Sequence, residues 1–166
     1  MSSRTELQAI TFTLDKEMYG IEVHQIKEII KVREYIKVPN APDYVEGVIN
    51  LRGQITPIVN LRKIFRMKEG TMDENSRIIM VEIDSEVMGL IVDSVVGVVT
   101  VPLKEVVKTP TLASTSTNVF ITGIIRAESQ LIILIDVVKL MEEVKANHSQ
   151  QIRDTLSNLE TIQVGI

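Results

Sequence analysis

A stretch that occurs twice constrains the fold of this chain more than any other feature. Residues 47–61 (GVINLRGQITPIVNL) align without gaps on residues 123–137 (GIIRAESQLIILIDV). Each copy holds two apolar runs around a polar kink, followed by a residue suited to cap a helix, Asn60 or Asp136. A small β-lobe has an apolar face that a second copy can bury, so the duplication predicts two related lobes packed together.

The composition favours sheet in both lobes. Apolar residues make up 45% of the chain and aromatic residues only 4%, with no tryptophan, so the core must be aliphatic. The abundant Ile and Val are β-branched, and such residues favour strands. The chain has no cysteine, which excludes disulfides, thiolate catalysis and cysteine-based zinc sites.

Apolar alternation predicts where the strands lie. Residues 8–14 form a half-buried strand and residues 18–23 return as its hairpin partner. This hairpin is repeated later, since MGLIV at 88–92 resembles YGIEV at 19–23. The remaining strands are predicted at 48–51, 55–59, 78–83, 87–92, 120–125 and 131–135.

Helices are predicted at fewer places. The spacing of Val23, Ile26 and Ile30 predicts a short helix with one buried stripe, and Pro42 is placed to start a single helical turn through Glu46. The capping residues Asn60 and Asp136 predict helices at 61–67 and 137–144.

These elements predict one domain over residues 1–146, with the boundary between its lobes near the polar loop 69–76. A second polar loop is predicted at 108–118. Residues 147–166 read as an amphipathic helical tail, which either docks on the lobes, binds a partner or is disordered. Its apolar residues are Ile152, Leu156, Leu159 and Ile162.

The chain offers little for catalysis or ion binding. Neither His24 nor His148 has a nucleophile pattern nearby, and an aspartate such as Asp93 more often bonds a turn backbone than acts in acid–base chemistry. Residues 73–75 lack the spacing of a calcium loop, and no glycine precedes Lys-Ser or Lys-Thr as in a phosphate loop. We therefore predict no enzyme activity, no metal site and no cofactor.

Location and charge argue against membrane insertion and nucleic-acid binding. The first residues lack the apolar segment of a signal peptide, and the nearly apolar run 87–101 is too short for a membrane span. The net charge is −4, aromatic residues for base stacking are scarce, and Glu28 and Glu34 interrupt the basic cluster at 27–37. We expect a cytoplasmic protein.

Arg52 lies among strand-forming residues, between Leu51 and Gly53. One interpretation is a turn arginine that points into water or bridges to a nearby carboxylate for little energy. The other is an anchor at the rim of an apolar groove, since the guanidinium donates several directed hydrogen bonds while its stem packs on apolar surface. The pattern leaves both open.

The motifs YGIEV, HQIKEI, VPNAPDYVEGVINLRGQITPIVNLRKIF and GLIVDSVVGV resemble the CheW family of chemotaxis coupling proteins, from about Ala9 to Glu143. The resemblance implies a mainly β fold of two SH3-like five-stranded β-barrel lobes packed together, with short helices and a C-terminal helix. It implies a non-enzymatic adaptor between two partners, the C-terminal regulatory domain of the histidine kinase CheA and the cytoplasmic tip of methyl-accepting chemoreceptors. Alternatives are a scaffold of a non-chemotaxis kinase pathway, an enzyme using Asp93 or Asp136, and a nucleic-acid-binding barrel.

The resemblance also implies which residues contact each partner. For Val23 and Ile26, plain core packing is an equal alternative. The implied receptor-binding residues are Glu28, Asn50, Arg52, Gly53 and Val95. The implied kinase-binding residues are Ile10, Val23, Ile26 and Gly47.

Overall fold

The computed structural model describes residues 4–68, 70, 72–108 and 118–146. Over these residues the chain is mainly β, as predicted, with two α-helices and three short 3₁₀ turns. The strands are β1 Glu6–Leu14, β2 Glu17–Glu22, β3 Ile26–Lys31, β4 Val45–Leu51, β5 Gln54–Asn60, β6 Arg77–Ile83, β7 Glu86–Val92, β8 Ser94–Pro102, β9 Val106–Lys108, β10 Ile121–Ala127 and β11 Gln130–Ile135. The helices are α1 Leu61–Ile64 and α2, residues 137–146.

The strands form two sheets with the same internal plan. One sheet has the order β3-β6-β7-β5-β4, and the other has the order β8-β1-β2-β11-β10-β9. Each contains one parallel pair, β5 with β7 and β2 with β11, among antiparallel neighbours. The two lobes predicted from the duplication are therefore confirmed, although one has six strands where the resemblance implies five.

The extra strand, β9, is matched in the five-stranded sheet by a single bridge. Ile36 and Val48 form this bridge, and the corresponding contact in the six-stranded sheet joins Val107 of β9 to Ile124 of β10. Both lobes therefore have a backbone contact at the same position of their edge hairpin. In one lobe it extends into a strand, and in the other it stays a single bridge.

Segment 69–76 does not separate the two sheets. The β1–β2 hairpin pairs with β8 and β11 from the second half of the chain, and the β6–β7 hairpin pairs with β3 and β5 from the first half. Each half therefore contributes a hairpin to the other half's sheet. Local patterns predict the hairpins but not this exchange, because pairing between distant strands leaves no local signal.

The core lies where the lobes meet. One apolar cluster joins residues of both sheets with α1 and α2, among them Phe12, Val59, Leu90 and Leu140, which are fully buried. Two smaller clusters fill the individual lobes, one around Ile125 and one around Ile58. Burial of aliphatic side chains from both halves holds the lobes together.

The helix predicted over residues 23–30 is wrong. Residues Val23–Gln25 form a 3₁₀ turn and β3 follows. A bulge follows Ile26, so Ile26 packs against the central core whereas Ile30 packs against the cluster around Ile58. Strand β6 supplies the ladder hydrogen bonds. The helical turn predicted from Pro42 through Glu46 is shorter than predicted: the Val45 N–H bonds to the Pro42 carbonyl over 3.0 Å, and β4 begins at Val45.

Both predicted caps are confirmed, but the helix ends differ from the prediction. Asn60 accepts a hydrogen bond from the Arg62 N–H, and Asp136 accepts one from the Lys139 N–H. Helix α1 ends at Ile64, earlier than predicted, and α2 continues to residue 146. The predicted tail at 147–166 and most of the 108–118 loop lie outside the described residues.

Candidate partner-binding site

Arg52 and Gly53 form the two-residue turn between β4 and β5, where Leu51 pairs with Gln54. Their φ angles are 51° and 86°, the conformation of tight hairpin turns that matches the twist of the strands. The Asn50 side chain holds the turn, since its Oδ1 accepts a hydrogen bond of 2.9 Å from the Gly53 N–H. The predicted turn at Arg52 is confirmed.

The Arg52 side chain is oriented by Glu28 of β3. Its Nη2 donates to Glu28 Oε2 over 2.7 Å, while the Arg52 side chain stays 65% exposed. An ion pair this exposed contributes at most about 1 kcal/mol, so its main effect is to aim the guanidinium. The second carboxylate oxygen of Glu28 is buried and has no hydrogen-bond partner in the described part of the chain.

Val95, the fifth predicted receptor contact, lies in the other lobe. It is on β8, pairs with Phe12 and packs against the central core. The hydrogen bonds and strand ladders of the described residues do not connect it to the Arg52 turn. The structure therefore brings together four of the five predicted receptor residues, Glu28, Asn50, Arg52 and Gly53.

The second lobe does not repeat the charged pair. In the duplicated alignment the counterpart of Arg52 is Glu128, which also has a positive φ of 55°. The counterpart of Glu28 is Gly97, since each follows a bulge on the edge strand of its sheet. A guanidinium aimed by a carboxylate is thus a property of the first turn, and the lobes offer different chemistry to partners.

Three predicted kinase contacts lie on or beside the β1–β2 hairpin. Ile10 of β1 is half-buried and pairs with Ile21 and with exposed Val98. Val23 and Ile26 are half-buried at the crossover from one sheet to the other, and Ile26 packs against the central core. Ile26 thus has a packing role, and the kinase contact of all three stays a prediction.

Gly47, the fourth predicted kinase contact, is buried against its own chain. A Cβ at this position would lie 2.4 Å from the backbone oxygen of Ile36 and 2.8 Å from Cδ2 of Tyr35. The expected close backbone approach exists, and Ile36 makes it, bonded to Val48 by two hydrogen bonds of 2.9 and 2.8 Å. The packing of Tyr35 and Ile36 therefore explains why this residue is a glycine. A kinase contact at Gly47 stays a prediction.

Arg62 and Asp93 form an ion pair that the sequence pattern did not predict. Arg62 Nε and Nη2 donate to the two carboxylate oxygens of Asp93 over 2.8 and 2.5 Å. Asp93 also accepts a hydrogen bond of 2.9 Å from the Asp15 N–H. The pair ties α1 to the β1–β2 turn of the other sheet, and the predicted structural role of Asp93 is confirmed.

The ionisation of Asp93 fits this structural role. Burial by itself raises its pKa, but the hydrogen bonds from Arg62 and from the Asp15 N–H outweigh burial and lower the pKa below its ordinary value. An acid–base catalyst needs a pKa near the working pH, so this carboxylate is unsuited to that task.

Glu46 of β4 is the centre of a second polar cluster. It accepts hydrogen bonds from Tyr35 Oη over 3.3 Å and Asn60 Nδ2 over 3.0 Å, and pairs with Lys63 Nζ at 2.9 Å. Burial raises the pKa of Glu46, but the bonds from Lys63, Asn60 and Tyr35 lower it overall. The cluster fixes β4, and therefore the strand that leads to the Arg52 turn, against α1.

Two further observations concern the described residues as a set. They hold no group of three His, Asp or Glu side chains placed to bind a metal ion. None of their helices is long and apolar enough to cross a membrane.

The sequence of this two-lobed chain matches a known protein family. The family of the CheW-like domain matches residues 8–145, which include every residue of the candidate site. The chain belongs to the CheW-like family. The resemblance predicted from the sequence motifs is therefore confirmed.

Individual CheW proteins are similar over most of their length. The "Chemotaxis protein CheW" of Treponema pallidum (strain Nichols) is 33% identical over 81% of this chain and 82% of its own. The "Chemotaxis protein CheW" of Bacillus subtilis (strain 168) is 33% identical, over 84% of this chain and 90% of its own. The crystal structure of scaffolding protein TtCheW from Thermoanaerobacter tengcongensis matches with a TM-score of 0.73 and 34% identity, covering 78% of this chain and 88% of that one. The CheW fold of two SH3-like β-lobes is thus shared.

Proposed function

We propose that this protein is a non-enzymatic chemotaxis adaptor that couples chemoreceptors to the histidine kinase CheA. Its relatives bear the name of a chemotaxis protein, and the similar solved structure is a scaffolding protein. The proposed partners are the C-terminal regulatory domain of CheA and the cytoplasmic tip of a methyl-accepting chemoreceptor. The proposal therefore places the protein in the cytoplasm.

The exposed but oriented guanidinium of Arg52 supports the receptor contact. Because Glu28 holds one end of the group, the loss of side-chain freedom on binding is reduced. Among the described residues Glu28 is the partner of this guanidinium, and its other N–H groups point the proposal to carbonyl or carboxylate oxygens at the end of a helical hairpin. Asn50 and Gly53 shape the turn beneath it, and Val95 is proposed as an apolar contact of the same receptor.

A separate surface around the β1–β2 hairpin supports the kinase contact. Ile10 and Val23 are half-buried there, and Val98 beside Ile10 is 58% exposed. Such a patch offers apolar area for a partner lobe. Arg52 lies on the other sheet from Ile10, although Ile26 and Gly47 share the sheet of Arg52. We propose that the two partners bind at the same time.

Titration calorimetry tests the adaptor function. A receptor-tip fragment is added to the free protein, and then to the protein saturated with the CheA regulatory domain. We expect binding in both titrations and a complex that contains all three components. Displacement of the kinase domain by the receptor tip, or no binding of either fragment, would contradict the proposal.

The alternative of a non-chemotaxis kinase pathway is not favoured, because the relatives are named chemotaxis proteins. The alternatives of catalysis by Asp93 and of nucleic-acid binding gain no support from the site. Asp93 is held in an ion pair, and the net charge of the chain is −4.

A further inference from the structure

Asp93 is the residue at which the chain crosses from one sheet to the other, because it alone separates β7 from β8. Its backbone N–H donates to the Thr13 carbonyl over 3.1 Å, and its carboxylate accepts from the Asp15 N–H over 2.9 Å. Both bonds hold the β1–β2 hairpin, which carries the proposed kinase contact Ile10. Arg62 of α1 bonds both oxygens of the same carboxylate, so the crossover ties this hairpin to α1.

Arg62 continues this network toward the Arg52 turn. Its backbone N–H donates to Asn60 Oδ1 over 3.0 Å, and Asn60 Nδ2 donates to Glu46 of β4 over 3.0 Å. Strand β4 leads directly into the Arg52 turn. Hydrogen bonds therefore connect the β1–β2 turn on one sheet with the strand that carries the candidate receptor contact on the other. The polar bridge is this set of residues: Asp15, Asp93, Arg62, Asn60 and Glu46.

The charged side chains of the polar bridge are well shielded from water. Arg62 is 18% exposed, Asp93 is 30% exposed and Glu46 is 12% exposed. Shielded charges interact more strongly than charges in bulk water, and a bidentate arginine–carboxylate pair fixes orientation as well as distance. A displacement of the β1–β2 turn therefore cannot leave α1 and β4 in place without breaking these bonds.

The duplicated half of the chain does not repeat the polar bridge. When the alignment of residues 47–61 on 123–137 is continued by one residue, Val138 of α2 is the counterpart of Arg62. When the alignment of YGIEV on MGLIV is continued in the same way, His24 is the counterpart of Asp93. The His24 ring contacts Glu22, at 3.2 Å. The counterparts of the arginine and the aspartate thus offer no ion pair to each other.

The equivalent junction, between α2 and the β6–β7 turn, is built in another way. Val138 lines a cleft of about 150 Å³ together with Asp84 of that turn. The ion pair printed on this cleft joins Glu86 to Lys145, whose side chains are 48% and 55% exposed. The same fold can therefore be built without a shielded network at this place. What the polar bridge adds is a continuous connection between the two proposed partner surfaces.

We propose that the polar bridge couples these surfaces, so that a kinase domain bound at the β1–β2 hairpin strengthens binding of the receptor tip at the Arg52 turn. A partner that holds the hairpin turn also holds α1 and β4 in the arrangement that presents Arg52, and the effect is reciprocal. Asp93, Arg62 and Glu46 are positioning residues, since none is a proposed partner contact. This inference rests on the proposed adaptor function.

Titration of a receptor-tip fragment into the free protein, and into the protein saturated with the CheA regulatory domain, measures the coupling. For the wild type we expect the receptor tip to bind the saturated protein about fivefold more tightly or better. Asp93→Asn and Glu46→Gln should each bring this affinity ratio to about one, because each breaks the polar bridge at a different bond. Both variants should still bind each fragment alone.

Glu86→Gln is the matched control, because it breaks the ion pair at the equivalent junction and should keep the wild-type ratio. Loss of folded protein does not imitate the expected result. Unfolding weakens binding to the free protein and is suppressed by a bound kinase domain, so it raises the ratio. If Asp93→Asn does not fold, Glu46→Gln decides the test from the other end of the polar bridge.

The outcomes separate the coupling from the adaptor function. An affinity ratio of about one in the wild type, or the wild-type ratio in a folded variant of the polar bridge, would overturn the coupling and leave the adaptor function standing. Loss of the ratio in Glu86→Gln would also overturn it. A wild-type protein that binds neither fragment would overturn the adaptor function, and the coupling with it.

Discussion

At the scale of single residues, two arginine–carboxylate pairs serve different ends. Arg62 and Asp93 are 18% and 30% exposed and are bonded through both carboxylate oxygens. Arg52 is 65% exposed and shares one short contact with Glu28. The first geometry fixes the fold, whereas the second leaves most of a guanidinium available to another molecule.

Asp93→Asn tests the first pair through its pH dependence. Because the pKa of Asp93 is lowered in the folded state, its contribution is fully present above the ordinary value of 3.8 and is lost as pH falls through the lowered value. We expect the variant to lose roughly 2 kcal/mol of unfolding free energy at pH 7, and to lose less than wild type on further acidification. Urea unfolding at neutral and acidic pH measures both.

Glu142→Gln is the matched control, since Glu142 is an exposed carboxylate of α2. It should change the free energy of unfolding by less than about 0.5 kcal/mol. Wild-type stability of Asp93→Asn at pH 7 would show that the Arg62 pair does not hold the lobes.

At the scale of elements, the local sequence pattern predicts the hairpins. It fails where pairing with a distant strand determines the secondary structure. The turn at Arg52 and the cap at Asn60 follow from neighbouring residues, so both are predictable. Residues 23–30 are not, because the pairing of β3 with β6 and the bulge after Ile26, which sends Ile26 and Ile30 to different apolar clusters, depend on a distant strand. The Arg62–Asp93 pair joins residues 31 apart, and no local pattern encodes it.

Two glycines at matching places in the duplicated hairpins provide an element-scale prediction. A Cβ on Gly47 would lie 2.4 Å from the Ile36 oxygen, and one on Gly123 would lie 2.7 Å from the Val107 oxygen. Both clashes are with backbone, which cannot move aside cheaply. We expect Gly47→Ala and Gly123→Ala each to lower the free energy of unfolding by about 2 kcal/mol, measured by urea unfolding.

Gly97→Ala is the control for these variants, because nothing lies within 4 Å of a Cβ at that position. It should be as stable as wild type or slightly more stable, since alanine has less freedom in the unfolded chain. Equal stability of all three variants would contradict the close approach at both hairpins.

At the scale of the whole molecule, the exchange of hairpins makes each lobe depend on both halves of the chain. The sequence reveals the duplication, but a duplicated pattern is equally compatible with two lobes that each use one half. The exchange explains why the largest apolar cluster lies between the lobes. It also makes the relative position of the Arg52 turn and the β1–β2 hairpin a property of the fold.

Cutting the chain within residues 69–71 tests this exchange. The β1–β2 hairpin then loses its neighbours β8 and β11, and the β6–β7 hairpin loses β3 and β5. We expect each half alone to show no cooperative unfolding by circular dichroism, and an equimolar mixture to recover it. A first half that unfolds cooperatively by itself would contradict the exchange.

The central claim is that the Arg52 turn anchors the receptor and takes no part in the kinase contact. The most direct test compares Arg52→Ala with wild type by titration of a receptor-tip fragment and, separately, of the CheA regulatory domain. Arg126→Ala, which removes an exposed arginine from the other lobe, is the control. We predict that Arg52→Ala weakens receptor binding about tenfold or more, leaves kinase binding unchanged, and that the control alters neither. Equal receptor affinity of Arg52→Ala and wild type, or loss of both partners together, would contradict the account.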